Sequence, residues 1–523
     1  MFIQRNKRKV GDKVYQSILL QESYRESGKV KHRHILNITS WKPEQIEALD
    51  MALKGNKGLK IEDIETKQGE SIGLLWVFTE LAKELGLFKI LGAFFALVLI
   101  LIVGRISTQG SRLRLVDWGK TQAIETVLEV DGYSKDTLYG TLDWLCENQE
   151  RIEDDLFRAH TQQKPCQLFL YDVTSSYVEG ECNELAEYGY NRDKKQGKKQ
   201  IVIGLLTNEE GTPVAIEAFP GNTSDVSTVS SQIKKITQRF KAERVTMVGD
   251  RGMLKSNQIK ELNENNLSYI TAITKPQIET LLKQGILQLG LFDEEVMEVE
   301  DGGIRYIFRR NPVRAKEIEK SRNQKQDRVN EKVEKLNLYL SEHPKAKVET
   351  ALKELRETVE RLNMSDWMSA ESEGRRLFVR IEEQKLNEKC KLDGCYVIKT
   401  DLSQQQAKAE VVHARYKDLS QVEYAFRTLK SGFLEIRPLY VQKESRTRGH
   451  VFVSMLAYLL IQKFRKRTKH LGMTLEHMIE ALEQVQTVHL VLPTGETVTR
   501  IPTPPQETQD ILDALGIKLP KNL

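Results

Sequence analysis

Cysteine is scarce in this chain, with five in 523 residues, at positions 146, 166, 182, 390 and 395. None forms a CxxC pair or stands near a histidine cluster at zinc spacing, so neither a disulfide framework nor a structural zinc is indicated. Reduced thiols and a cytoplasmic location are the simplest expectation. A surplus of one charge is also missing, since Lys and Arg number 79 against 74 Asp and Glu, a net +5. Binding to a polyanion is therefore permitted but not required, and a nucleic-acid surface has to arise from local clustering. The opening MFIQRNKRKVGDKVYQ is basic but lacks the apolar run of a secretory leader, so no export is expected. The longest apolar run, Ile90 to Gly104, has 15 residues and falls short of the roughly 18 to 20 that cross a bilayer. A helix buried against other helices is expected there rather than membrane contact. A membrane anchor is the lesser alternative, if the run lengthens to Phe88 and Ile106 with Lys89 and Arg105 snorkelling.

What is present divides the chain along its length, and 523 residues exceed what one core usually serves. Residues 1–45 alternate as strands around a turn at Gly28 and read as a small β-hairpin unit. Residues 46–160 turn helical, with SIGLLWVFTELAKELGL strongly amphipathic, and form either a DNA-gripping domain or a plain bundle. Trp76 and Trp144 occupy helical apolar positions and are expected in the core. From 161 to 275, three strand-like runs are followed by helices alternating with the strands RVTMVGD and SYITAI, the pattern of a mixed α/β sheet. Residues 276–402 interrupt that rhythm. There Val329, Val333, Leu336 and Leu340, then Leu352, Leu355, Val359 and Leu362, keep the spacing of a helical hairpin inside an inserted α+β domain. Residues 403–470 hold an amphipathic helix and a long apolar helix, and residues 471–523 read as a strand pair with a terminal helix.

Three carboxylates stand out. Asp172 follows the apolar QLFLY and Asp250 follows RVTMVG, each at or just past the end of a strand. In YKDLSQVEYAFRTLK, wound as one helix, Tyr416, Leu419, Glu423, Arg427 and Lys430 fall within an arc of roughly 80°. Val422, Phe426, Leu429 and Phe433 form a neighbouring apolar stripe. Each acid alone is equally well a turn former, a helix cap or a surface ion-pair partner. Together, in one sheet and a helix beside it, they would repel strongly unless oxygen-ligated divalent metal were bound. Two magnesium ions, with manganese able to substitute, suit in-line displacement at phosphorus. Arg427 and Lys430 would then hold the flanking DNA backbone.

The blocks YDVTSSYVEG, GLLTNEEGTPVAIEAFPGNTSD, VGDRGM and YKDLSQVEYAFRTLKSGFLEIRPLY resemble those of DDE transposases of bacterial insertion sequences. The resemblance is to the group whose last acid lies in a Tyr, Arg, Glu, Lys signature and whose catalytic core carries an insertion. Tyr416, Glu423 and Lys430 match that signature, while Leu419 stands where the group has arginine; Arg427 is the candidate substitute. The blocks occur in order, with 77 residues between the two Asp and 172 between Asp250 and Glu423. The resemblance implies a ribonuclease H-like core with Asp172, Asp250 and Glu423 as metal-binding catalytic residues, and Tyr416, Arg427 and Lys430 toward DNA. It also implies a dimer or larger assembly on paired terminal inverted repeats, hydrolysis that frees 3′-hydroxyls, and their transfer to target DNA. Two other readings are a catalytically silent DNA-binding descendant and a metal-dependent nuclease that cuts without joining.

Further cations cluster in YGYNRDKKQGKKQ, where Arg192, Lys194 and Lys195 lie close in the chain to Asp172. They are either backbone contacts or a solvated turn. FRKRTKH, residues 464–470, presents the same choice. His450 is read as structural.

Overall fold

The computed structural model describes residues 1–520 except 11–12, 56–63, 162–165, 194, 243–244, 293–294, 431, 437–438 and 494. Its chain opens with a three-stranded antiparallel sheet, β1 (Phe2–Val10), β2 (Lys13–Glu26) and β3 (Lys29–Asn37), in the order β1-β2-β3. Glu26 pairs with Lys29 across the two-residue turn Ser27-Gly28, both at positive φ (53° and 78°), the geometry that matches strand twist in a tight hairpin. After α1 (Pro43–Leu53) and β4 (Glu65–Ser71) comes a helical block: α2 (Gly73–Glu84), α3 (Leu87–Leu91), α4 (Phe95–Thr108), α5 (Arg112–Gly119), α6 (Ile124–Leu128) and α7 (Lys135–Thr161). By length and composition Leu87–Thr108 is apolar enough to cross a membrane. In the fold, positive φ at Gly92 bends it, and Val98 to Val103 are buried in the main hydrophobic cluster. Trp144 stacks on Phe94 with ring centroids 4.0 Å apart, and Trp76 donates its indole N–H to the Lys518 carbonyl.

The meander expected after residue 166 is present as β5 (Leu168–Tyr177), β6 (Gln200–Asn208) and β7 (Pro213–Pro220). Then α8 (Asp225–Lys234), β8 (Thr246–Gly249), α9 (Ser256–Glu264) and β9 (Ser268–Ala272) alternate, with β8 parallel to both β5 and β9. α10 (Lys275–Lys283), β10 (Met297–Asp301) and β11 (Ile304–Arg310) follow. Next come α11 (Pro312–Glu342), α12 (Val348–Arg361), β12 (Met368–Glu373), β13 (Arg376–Ile381), α13 (Glu383–Lys391) and β14 (Cys395–Thr400). The central sheet has eight strands in the order β10-β11-β14-β9-β8-β5-β6-β7. The sheet therefore does not end near residue 275. The edge of β9 takes up β14, then β11 and β10, whose turn at Gly302-Gly303 closes a hairpin. What lies outside the sheet is the stretch 312–391, a helical hairpin laid on β12–β13 with its own core of Val329, Leu336, Leu355, Val359 and Trp367. Asn311 starts α11 by accepting from the Val313 and Arg314 backbone N–H groups, with Pro312 in the first turn.

The last part comprises α14 (Ala409–Lys417), α15 (Leu419–Lys430), α16 (Glu444–Thr468), α17 (Leu475–Glu483), β15 (Gln486–Val491), β16 (Thr497–Arg500) and α18 (Gln506–Leu515). The single helix expected over 416–430 is thus two, parted by a turn at Asp418, so Tyr416 and Glu423 belong to different helices. Helix α16 runs buried through the centre, packed on α7, α4 and β7. At Gly449 it approaches α7 so closely that a Cβ would meet the Leu142 carbonyl oxygen at 2.2 Å. β15 pairs with β16 as the C-terminal pattern suggested, and also with β4, joining the two ends of the chain.

Candidate active site

In β5, side chains alternate between two cores: Phe169, Tyr171 and Val173 enter one, while Leu168 and Leu170 enter the other with Val422, Phe426 and Leu429 of α15. Asp172 shares the second face with Leu170 and Thr174, and α15 lies across that face. The parallel ladder between β5 and β8 pairs Leu168 with Thr246 through Tyr171 with Gly249. Asp172 and Asp250 are the next residue on each strand, the first positions past the same ladder. Asp172 is not at its strand's end, however, because β5 continues against β6 to Tyr177. Asp250 does close β8 and begins a turn, its carboxylate accepting the Arg251 N–H at 2.7 Å and the Tyr416 hydroxyl at 3.2 Å.

Burial pushes the Asp172 carboxyl from its ordinary 3.8 up to about 7, and the negative charges of Asp250 and Glu423 push the same way. A hydrogen bond from the Val173 backbone and the Arg192 guanidinium pull in the opposite direction. The Tyr416 hydroxyl is likewise raised, first by burial, then by the charge of Asp250 and its hydrogen bond to that residue, with Glu423 adding to it. The fold thus brings Asp172, Asp250, Glu423 and Tyr416 within electrostatic reach of one another. Among the described residues no three His, Cys, Asp or Glu side chains are gathered closely enough to hold a metal ion. The donor chemistry nevertheless suits a hard divalent cation: oxygen ligands alone, mutual repulsion, and one member whose charge is costly where it stands.

The remaining expected contacts are dispersed. Glu423 and Arg427 are exposed on α15. Lys430 turns inward: its ammonium meets the Asp193 carboxylate at 2.7 Å and donates to the Thr174 hydroxyl at 2.9 Å. Where a DNA-backbone contact was expected, the ammonium in this structure ties α15 to β5. Arg192 is held by Asp225 in the first turn of α8 and takes its backbone N–H to Ser175 Oγ at 3.1 Å. Lys195 is exposed, 5.8 Å from the Tyr177 ring centroid, and Lys194 lies outside the described residues. Leu419, in the position of the family's arginine, is buried. Of the cations near residue 465, Lys463 and Arg467 pair with Glu84, Lys466 reaches Glu210 from an exposed position, and Arg465 lies over the Tyr424 ring. His450 is buried, accepts from Arg112 at 2.8 Å, and is held neutral by burial and by the adjacent Arg105 and Arg112 charges. Asp193 escaped sequence reasoning, although one signal was there: a lone acid inside a run of cations.

An α/β sheet thus carries two aspartates side by side at the ends of one parallel ladder, with a glutamate helix across one face. The chain belongs to the transposase DDE domain family, which it matches over residues 163–460. Residues 3–66 match the N-terminal domain of IS1634 family transposases, so the particular kind is a DDE-type insertion-sequence transposase, an enzyme acting on DNA. No protein of curated function matches. A solved structure, the piggyBac transposase synaptic complex with hairpin DNA, aligns with a TM-score of 0.37 at 11% identity, covering 78% of each chain.

Proposed function

We propose that this transposase cleaves the ends of its insertion sequence and transfers the freed 3′-hydroxyls to target DNA, with Asp172, Asp250 and Glu423 as its catalytic carboxylates. The observation that carries the reading is the Asp172 carboxyl, pushed up to about 7 by burial together with the charges of Asp250 and Glu423. A carboxylate held at such cost among other acids is characteristic of a site built for chemistry. The neighbouring parallel strands with α15 across them support a ribonuclease H-like core, split by the insertion that contains the α11–α12 hairpin. Asp172, Asp250 and Glu423 would hold divalent ions, magnesium or manganese, which supply activation of a water or 3′-hydroxyl and neutralise charge on the departing oxygen. The chain's own part is positioning. Tyr416 and the Arg251 N–H fix the Asp250 carboxylate, and the Lys430–Asp193 pair and Thr174 fix α15 on β5. Arg427, exposed one turn beyond Glu423, is the candidate cation for the DNA backbone beside the cut. Action on paired ends calls for a dimer or larger assembly.

The test is cleavage of a labelled duplex bearing the element's end, in magnesium, by wild type beside Glu423→Gln, with binding followed in parallel and joined products scored on a supercoiled target. Lost cutting with intact binding supports the assignment. Equal cutting by both proteins would remove Glu423 from the site.

A further inference from the structure

The sequence left the helical block before residue 160 as either a DNA-gripping domain or a plain bundle. In the fold, that block serves as core: α2, α4 and α7 send their apolar faces into the cluster that contains α16 and α15. The first sheet, by contrast, presents an open cationic face. Strand β3 is exposed at every position, and β1 is exposed from Gln4 to Lys9. Side-chain alternation and the strand register put Arg5, Lys7 and Lys9 of β1 on the same face as Lys29, Lys31 and Arg33 of β3. Two acids share that face, Glu22 and Glu26, and each is already paired, with Arg33 and Lys31 respectively. Arg5, Lys7, Lys9 and Lys29 have no carboxylate partner among the described residues. At 3.3–3.4 Å per residue the three β1 cations stand about 7 Å apart in a row. Nothing in such an open sheet needs these cations for packing, and four unpaired like charges on one face repel one another.

We infer that this cationic face, centred on Arg5, Lys7 and Lys9, is a docking surface for duplex DNA and contacts its phosphates. The inference rests on the proposed function only in taking DNA as the partner. Duplex DNA is the occupant because it offers a regular row of negative charge, about one per 1.7 Å of axis, to a regular row of cations.

The experiment measures binding of the full chain to a fluorescein-labelled 30-base-pair duplex as salt is raised, for wild type, for Arg5→Gln/Lys7→Gln/Lys9→Gln, and for Lys345→Gln/Lys347→Gln/Lys353→Gln in the α11–α12 hairpin. The expected result is weaker binding by the sheet variant and a slope of log affinity against log salt shallower by about 2.7, three contacts at about 0.9 each. The hairpin variant should match wild type, as should Arg5→Lys/Lys7→Arg/Lys9→Arg, which keeps the charge. Matching melting curves check that the variants are folded, as substitution at exposed positions predicts. If the sheet variant keeps the wild-type slope, or only the hairpin variant changes it, this inference falls while the proposed function stands. If wild type shows no salt-dependent affinity for the duplex, both fall.

Discussion

Replacing Asp172 with Asn keeps the shape of the side chain and removes the charge that the fold holds at a cost. In the folded chain the carboxyl is raised from 3.8 to about 7. With the folded value above the unfolded one, the folded chain binds the proton more tightly, and stability is lost as pH climbs, beginning near the unfolded value and ending above the folded one. At about 1.36 kcal/mol per pH unit, wild type should trail Asp172→Asn by roughly 1.7 kcal/mol near pH 5 and roughly 4 kcal/mol near pH 8. These are upper bounds, because part of the side chain meets solvent, which screens the charge. The quantity to measure is the growth of the gap, up to about 2.5 kcal/mol, as a difference in melting temperature followed by calorimetry in EDTA at the two pH values. Added magnesium should narrow the gap near pH 8 by raising the melting temperature of wild type and leaving that of the variant nearly unchanged. A gap that stays constant with pH, or a variant less stable than wild type near pH 8, would refute the reasoning. The Asp172 charge would then cost the fold nothing, and the case for three carboxylates sharing one site would lose its main support.

Two further outcomes follow from the supports of that site. Asp193→Ala removes the carboxylate 2.7 Å from the largely buried Lys430 ammonium and should destabilise the chain by about 3 kcal/mol, read from chemical denaturation. Lys430→Met in the same background should restore much of the loss, and failure to do so would show that the pair does not brace α15. Gly449→Ala drives a methyl group into the Leu142 carbonyl and should cost about 1–3 kcal/mol while also lowering cleavage, since α16 carries the core beneath the site. A neutral result would mean that the α7–α16 approach relaxes freely.

Local pattern carried much of this protein. The apolar runs of QLFLYDVTSSY, KQIVIGLLTN and PVAIEAFP, parted by turn signals, determined the meander, because a strand buried on both faces is a dense apolar run whatever surrounds it. The spacing of Val422, Phe426 and Leu429 determined which face of α15 enters the core, and all three are buried. The heptad spacing of residues 329–362 likewise identified a helical hairpin with its own core. Pairings between distant segments were decided only in three dimensions. ETKQGES has no strand-like composition, and β4 exists because β15 offers it hydrogen bonds from more than 400 residues away. CYVIKT joins the sheet beyond β9 because that edge would otherwise be left open, which carries the sheet past residue 275. The same holds for charge. Sequence supplied Asp172, Asp250, Glu423 and Lys430 as candidates by residue type and place in a pattern. Only the parallel register put the two aspartates side by side, and only the fold turned Lys430 inward to Asp193, because burial and distance, on which electrostatic energy depends, are not properties of a linear order.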